Sequence, residues 1–95
     1  MTQFERRRYI ANPNVVAQRV SGALVVLQVE SGQYYCLDEV GERIWELVTQ
    51  GQPLQLVAQA LSAEYDASLE QILQDVEELT EELSRERLLL DAPAD

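Results

Sequence analysis

Two Ser-Gly pairs, Ser21-Gly22 and Ser31-Gly32, limit the possible folds of this chain more than any other feature. Each separates runs rich in β-branched, aliphatic or aromatic residues: Val15 to Val20, then Ala23 to Glu30, then Gln33 to Leu37. Such runs favour a pleated, partly buried surface, and a glycine after serine supplies the positive φ that a tight reversal needs. Turns this short join only antiparallel neighbours, so the three runs predict a meander in which each strand pairs with the next. A three-stranded sheet needs cover on one face, and the rest of the chain must supply it.

The third run leads directly into a helix. Asp38 is a good N-cap, with Glu39 and Glu42 near the positive end of the helix dipole. Val40, Ile44, Trp45 and Val48 form the apolar stripe of a helix from Glu39 to Gln50, which Gly51 ends. Pro53 suits the first position of a second helix carrying Leu54, Val57, Leu61 and Tyr65. After a turn at Asp66-Ala67, Ser68 to Gln71 matches a capping box and opens a long third helix. Its apolar positions are Leu69, Ile72, Leu73, Val76, Leu79 and Leu83, and its other faces are mainly acidic. Leu88-Leu89-Leu90 is expected to pack back on the core. The fold class is therefore α+β and winged helix-turn-helix-like, a three-stranded antiparallel sheet followed by three helices. The expected domain spans residues 15–90, with a flexible N-terminal arm at 1–14 and a tail at 91–95. The tract Arg6-Arg7-Arg8 in that arm is either solvated or in contact with an acidic surface.

Charge and missing residue types exclude whole classes of chemistry. The net charge of −10 is uneven, about +2 over residues 1–37 and −12 over residues 38–95. The acidic half repels a phosphate backbone, so nucleic acid is not an expected partner. No apolar run approaches the ~20 residues that cross a bilayer, and no apolar segment follows the arginine tract, so neither membrane nor secretory signal is expected. Cys36 is the only cysteine, which excludes an intrachain disulfide and fits a cytoplasmic protein. With no histidine in the chain, a Ser-His-Asp or Cys-His nucleophile cannot form within it. One thiol cannot build a zinc site, and no glycine-rich phosphate loop or calcium loop is present. The chain reads as a non-enzyme with no cofactor.

What remains is a surface. In a meander the third strand is an edge, with outward N–H and C=O groups free to pair with another strand. Natural edges usually carry a charge or a proline as protection, yet Gln33-Tyr34-Tyr35-Cys36-Leu37 has neither. Such an edge either receives a peptide by strand addition, or is covered by the third helix or by a second copy of the chain. Leu37 and Tyr35 share the core face by alternation, so strand and third helix should flank a groove with an apolar floor. Asp75, Glu77 and Glu78 would give it an acidic rim, which favours a basic or neutral peptide.

Three ordered patterns carry a family resemblance. They are G-x-Y-Y-x-L-D-x-x-G-x-x-I-W-x-L from Gly32 to Leu47, A-x-x-L-S-A-E-Y-D from Ala58 to Asp66, and D-V-x-x-L-x-x-E-L from Asp75 to Leu83. Together they resemble the PqqD-like family, the leader-peptide recognition elements of ribosomally made, post-translationally modified peptides. The likeness extends over roughly Val15 to Leu90 and is strongest to the stand-alone leader-binding proteins of lasso-peptide systems. The family usually has Asn where this chain has Asp38, and both residues cap helices. The resemblance implies a non-catalytic protein that binds the leader of a precursor peptide as an added strand. It also implies delivery of that precursor to a separate leader peptidase, a transglutaminase-like cysteine protease. The edge would come from Gln33, Tyr34, Tyr35, Cys36 and Leu37, and the helix wall from Ile72, Leu73, Asp75, Val76, Leu79 and Thr80. Three alternatives stand beside it: a peptide chaperone for pyrroloquinoline quinone synthesis, a winged-helix DNA-binding regulator, and a homodimer pairing through the third strand.

Overall fold

The structure, a computed structural model, describes residues 6–92. Its elements are β1 (Tyr9–Ala11), β2 (Val15–Val20), β3 (Ala23–Gln28), β4 (Tyr34–Leu37), α1 (Glu39–Thr49), α2 (Leu54–Tyr65), α3 (Leu69–Arg85) and β5 (Leu89–Asp91). The expected meander is present as an antiparallel sheet in the order β2-β3-β4, so the strand expected third in the chain is β4. The fold class stands as read: α+β, winged helix-turn-helix-like, with three helices after the three-stranded sheet.

The register follows from the pairs Ala17↔Val26 and Val26↔Tyr35, which lie in one row across the sheet. Arg19, Leu24 and Leu37 form the next row on the same face. Val26 and Leu37 are buried, so this is the face the helices cover. They belong to one core with Ile44, Trp45 and Val48 of α1, Val57 and Leu61 of α2, and Ile72, Val76 and Leu83 of α3.

Helix starts obey local chemistry. The Asp38 carboxylate accepts from the Gly41 N–H at 2.7 Å, capping α1. The Ser68 hydroxyl accepts from the Gln71 N–H at 3.1 Å, while the Gln71 side chain turns to Asp75 instead of closing a full capping box. Pro53 is the N-cap of α2, one position earlier than expected, because its extended ψ of 148° keeps it outside the helix. The Leu54 N–H then donates to the Arg7 carbonyl at 3.0 Å, so a distant segment satisfies the first turn.

Three expectations need correction. The second hairpin is wider than a Ser-Gly turn: β3 ends at Gln28, β4 begins at Tyr34, and the loop runs from Val29 to Gln33. Gln28 is buried, and its side-chain oxygen accepts from the Glu30 N–H at 2.7 Å, which pulls the chain out of the strand. The Gly32 N–H closes the loop on the Gln28 carbonyl at 2.8 Å, with Gly32 at φ +76°. The segment expected as an arm at 1–14 contains β1, which pairs with β5 through Tyr9↔Asp91 and Ala11↔Leu89. Tyr9, Leu88 and Leu89 are buried, so burial of apolar side chains, not local propensity, makes this second sheet. The tail expected from residue 91 likewise begins inside β5, and the stretches 1–5 and 93–95 of arm and tail lie outside the described residues. Within the arginine tract, Arg7 pairs with Asp91 at 2.8 Å and stacks its guanidinium over the Tyr9 ring at 5.3 Å.

Candidate functional site: an open strand edge beside a helix

β4 pairs with β3 on one side and, among the described residues, with no strand on the other. One hydrogen bond outside the ladders shows which main-chain groups are left over. The Gln28 N–H donates to the Gln33 carbonyl at 2.8 Å, making Gln28 and Gln33 a hydrogen-bonded pair. Such pairs alternate along an antiparallel ladder, so Val26 with Tyr35 and Leu24 with Leu37 bond across it in turn. The N–H and C=O groups of Tyr34 and Cys36 therefore point away from β3, into open space. The edge is short, and Asp38 ends it by becoming the cap of α1.

Beside this edge lies a pocket of about 460 Å³ lined by Cys36 and Leu37 of β4, Asp38, Val40, Gly41 and Ile44 at the start of α1, and Asp75 and Leu79 of α3. Its walls are mostly apolar, with two carboxylates among them. Gly41 allows the close fit of α1 to the end of β4. A Cβ there would stand 3.2 Å from the Asp38 side-chain oxygen and 3.4 Å from the Leu37 Cβ.

The residues named from sequence fall into two groups. On the strand, Leu37 is buried, Tyr35 is half-buried on the same face, and Gln33, Tyr34 and Cys36 are exposed. On the helix, Asp75 and Leu79 reach the pocket. Ile72, Val76 and Thr80 do not: all three are buried in the core, and the Thr80 hydroxyl donates to the Val76 carbonyl at 2.8 Å. Leu73 packs half-buried against that core as well. The wall expected on α3 therefore merged two stripes of the helix, and only the one through Asp75 and Leu79 faces β4.

That stripe continues at spacings of three and four to Glu82 and Glu86, which the sequence reading missed. Burial raises the Tyr35 phenol above its ordinary pKa, and the nearby carboxylates of Glu86 and Glu82 push it further the same way. The acidic rim is thus Asp75, Glu82 and Glu86, whereas Glu78 points outward and accepts from Gln74. Val40, Gly41 and Ile44 were also missed as lining residues. Their signal was present, because apolar positions in the first turns of a helix directly after a strand must pack beside that strand's end.

The other face of the sheet is bare. Its rows are Val16–Leu27–Tyr34, Gln18–Val25–Cys36 and Val20–Ala23, and none of these residues carries a charge. Val16 is 50% exposed, Val20 49% and Tyr34 65%. Solvated faces of antiparallel sheets normally alternate to polar side chains, and this one does not.

The family model described as Coenzyme PQQ synthesis protein D (PqqD) matches residues 23–89. The chain belongs to the PqqD family. Among solved structures, this PqqD-family chain is similar to TbiB1 in complex with the TbiA(beta) leader peptide. The two are 29% identical with a TM-score of 0.79, over 90% of this chain and 99% of that one. A lasso peptide synthetase B1 complexed with the leader peptide has the same fold, with a TM-score of 0.81 at 23% identity over 87% of this chain and 98% of that one. No curated protein sequence matches. No described helix is long and apolar enough to cross a membrane.

Proposed function

We propose that this chain is a non-catalytic recognition protein that captures the leader segment of a ribosomally made precursor peptide as a strand added to β4, in the groove beside α3. The observation that carries this reading is the vacant edge at Tyr34 and Cys36 next to an apolar pocket. Main-chain pairing at such an edge supplies affinity, and the pocket supplies selectivity for one side chain. TbiB1, which shares the fold and 29% of its residues, was solved holding a leader peptide. The short ladder limits the paired segment to a few residues, so the pocket and the α3 wall must provide most of the discrimination.

The captured precursor is delivered to a separate leader peptidase in lasso-peptide maturation. Binding both proteins raises the effective concentration of the cleavage site, which needs no catalytic group on this chain. The uncharged sheet face is the surface offered to that peptidase. It adjoins the peptide edge through Tyr34 and Cys36, which belong to both. With strands about 4.8 Å apart and residues rising about 3.3 Å, its footprint is on the order of 300 Å². A stable dimer buries about 800 Å² per partner, so the face suits a transient contact better than permanent pairing of two copies.

A fluorescently labelled leader from the precursor encoded with this chain tests capture directly by anisotropy. Micromolar or tighter binding to the full chain is expected, with Cys36→Pro weakening it by on the order of a hundredfold. That proline removes an outward N–H and leaves the β3–β4 ladder intact, so normal binding by a folded variant would refute strand addition. The family description also favours a role as peptide chaperone in pyrroloquinoline quinone synthesis, using the same groove. Comparing the two classes of precursor in the same assay separates the pathways. Self-pairing through β4 is a competing use of the edge, and sedimentation with and without leader distinguishes it. For DNA binding the α3 surface is unsuited, because Glu70, Asp75, Glu77 and Glu78 would face the phosphates.

A further inference from the structure

The stripe of α3 that faces β4 reads Asp75, Leu79, Glu82, Glu86, an apolar residue flanked on both sides by carboxylates. Leu79 and Asp75 stand at the pocket with Leu37, while Glu82 and Glu86 stand where Tyr35 lies. β4 thus runs past the wall so that its two core-facing residues sit at two heights, one apolar and one acidic. A strand added to β4 meets the same wall in the same way. Its side chains on the core face recur about every 7 Å, so one enters the pocket and the next, two residues along, comes beside Glu82 and Glu86. Among the described residues neither Glu82 nor Glu86 forms a salt bridge, and Arg85 is the one cation whose field reaches Tyr35. An acidic side chain brought there would meet like charge, while a basic one would meet two carboxylates, of which Glu86 already interacts with the Tyr35 hydroxyl.

We infer that the segment captured in this groove carries a basic side chain, lysine or arginine, two residues from the apolar side chain that fills the pocket. This rests on strand addition to β4, and it names the class of peptide the groove selects. The basic group lies at the rim, where water still reaches it, so charge acts on choice among peptides and on encounter rate more than on total affinity.

The probes are short labelled peptides with a central aromatic anchor and Lys, Gln or Glu two residues before or after it. They are titrated by anisotropy into the full chain while amide spectra follow Tyr35 and Leu79. At low ionic strength one Lys peptide is expected to bind about tenfold tighter than its Glu counterpart, with the gap closing in high salt. The double variant Glu82→Lys with Glu86→Lys should invert the preference, and Glu82→Gln with Glu86→Gln should erase it. Equal affinities for the Lys and Glu peptides, or a preference untouched by the Gln variants, would overturn the inference while leaving strand addition in place. If no peptide binds, or binding leaves Tyr35 and Leu79 unshifted, the groove itself has been misread and the inference falls with it.

Discussion

The two margins of the β2-β3-β4 sheet are built from similar strands and treated oppositely. At β2, the Val29 N–H donates to the Asn14 carbonyl, so Val15, Ala17 and Arg19 are the residues whose main chain faces outward. The first of these is already satisfied, since the Val15 N–H donates to the Asn12 carbonyl at 3.0 Å. Arg19 adds a charge and grips both oxygens of Glu42 on α1. At β4, Tyr34 and Cys36 have neither a local acceptor nor a charge, and the pocket lies alongside. Protecting one edge while leaving the other open would direct an added strand to a single place. It would also keep copies of the chain from polymerising through both edges at once.

Substitutions can break this contrast, and the largest effect should come from a matched pair. Cys36→Pro removes an outward N–H from β4, and Ala17→Pro removes one from β2. The first should weaken leader binding by on the order of a hundredfold, and the second should leave it within about twofold. Equal losses, with both variants shown folded by circular dichroism, would mean the edges are equivalent. Next comes Val16→Asp, which puts a charge on the bare face of the blocked strand. Leader affinity should hold, while cleavage by the partner peptidase in a reconstituted assay slows by about tenfold. Asp38→Ala should cost about 1 kcal/mol of stability in urea denaturation through loss of the α1 cap, and Asp38→Asn should restore most of it. The smallest effect belongs to Arg19→Ala. Its ion pair is screened by solvent, so the urea midpoint should barely move, and peptide should still go to β4 alone.

Most of this architecture was readable from local chemistry. Ser21-Gly22 set a hairpin, Asp38 and Ser68 marked helix starts, and the stripe Ile72, Val76, Leu83 marked a buried helix face. The β1–β5 pair was not readable, because Tyr9–Ala11 and Leu89–Asp91 are three-residue strands at opposite ends of the described chain. Neither has a turn partner nearby, and each makes sense only when the other covers it. In the groove, the strand half was legible because alternation has period two and leaves little room for error. The helix half was not. A stripe on α3 is fixed only by what packs against it, so the resemblance counted Ile72, Val76 and Thr80 into the groove wall although the core claims them. Gln28 shows the same limit on a smaller scale: a buried amide that bonds to Glu30 shortens a strand that propensity alone would extend.

The pairing of Tyr9 with Asp91 has a temporal consequence. On the ribosome, the meander and the helix pair can assemble as they emerge, but Tyr9 stays uncovered until Leu88 and Leu89 have left the exit tunnel. Nascent chains stalled before that point should remain protease-sensitive near β1, and the same chains released after it should resist. Completion of the core thereby waits on the emergence of β5.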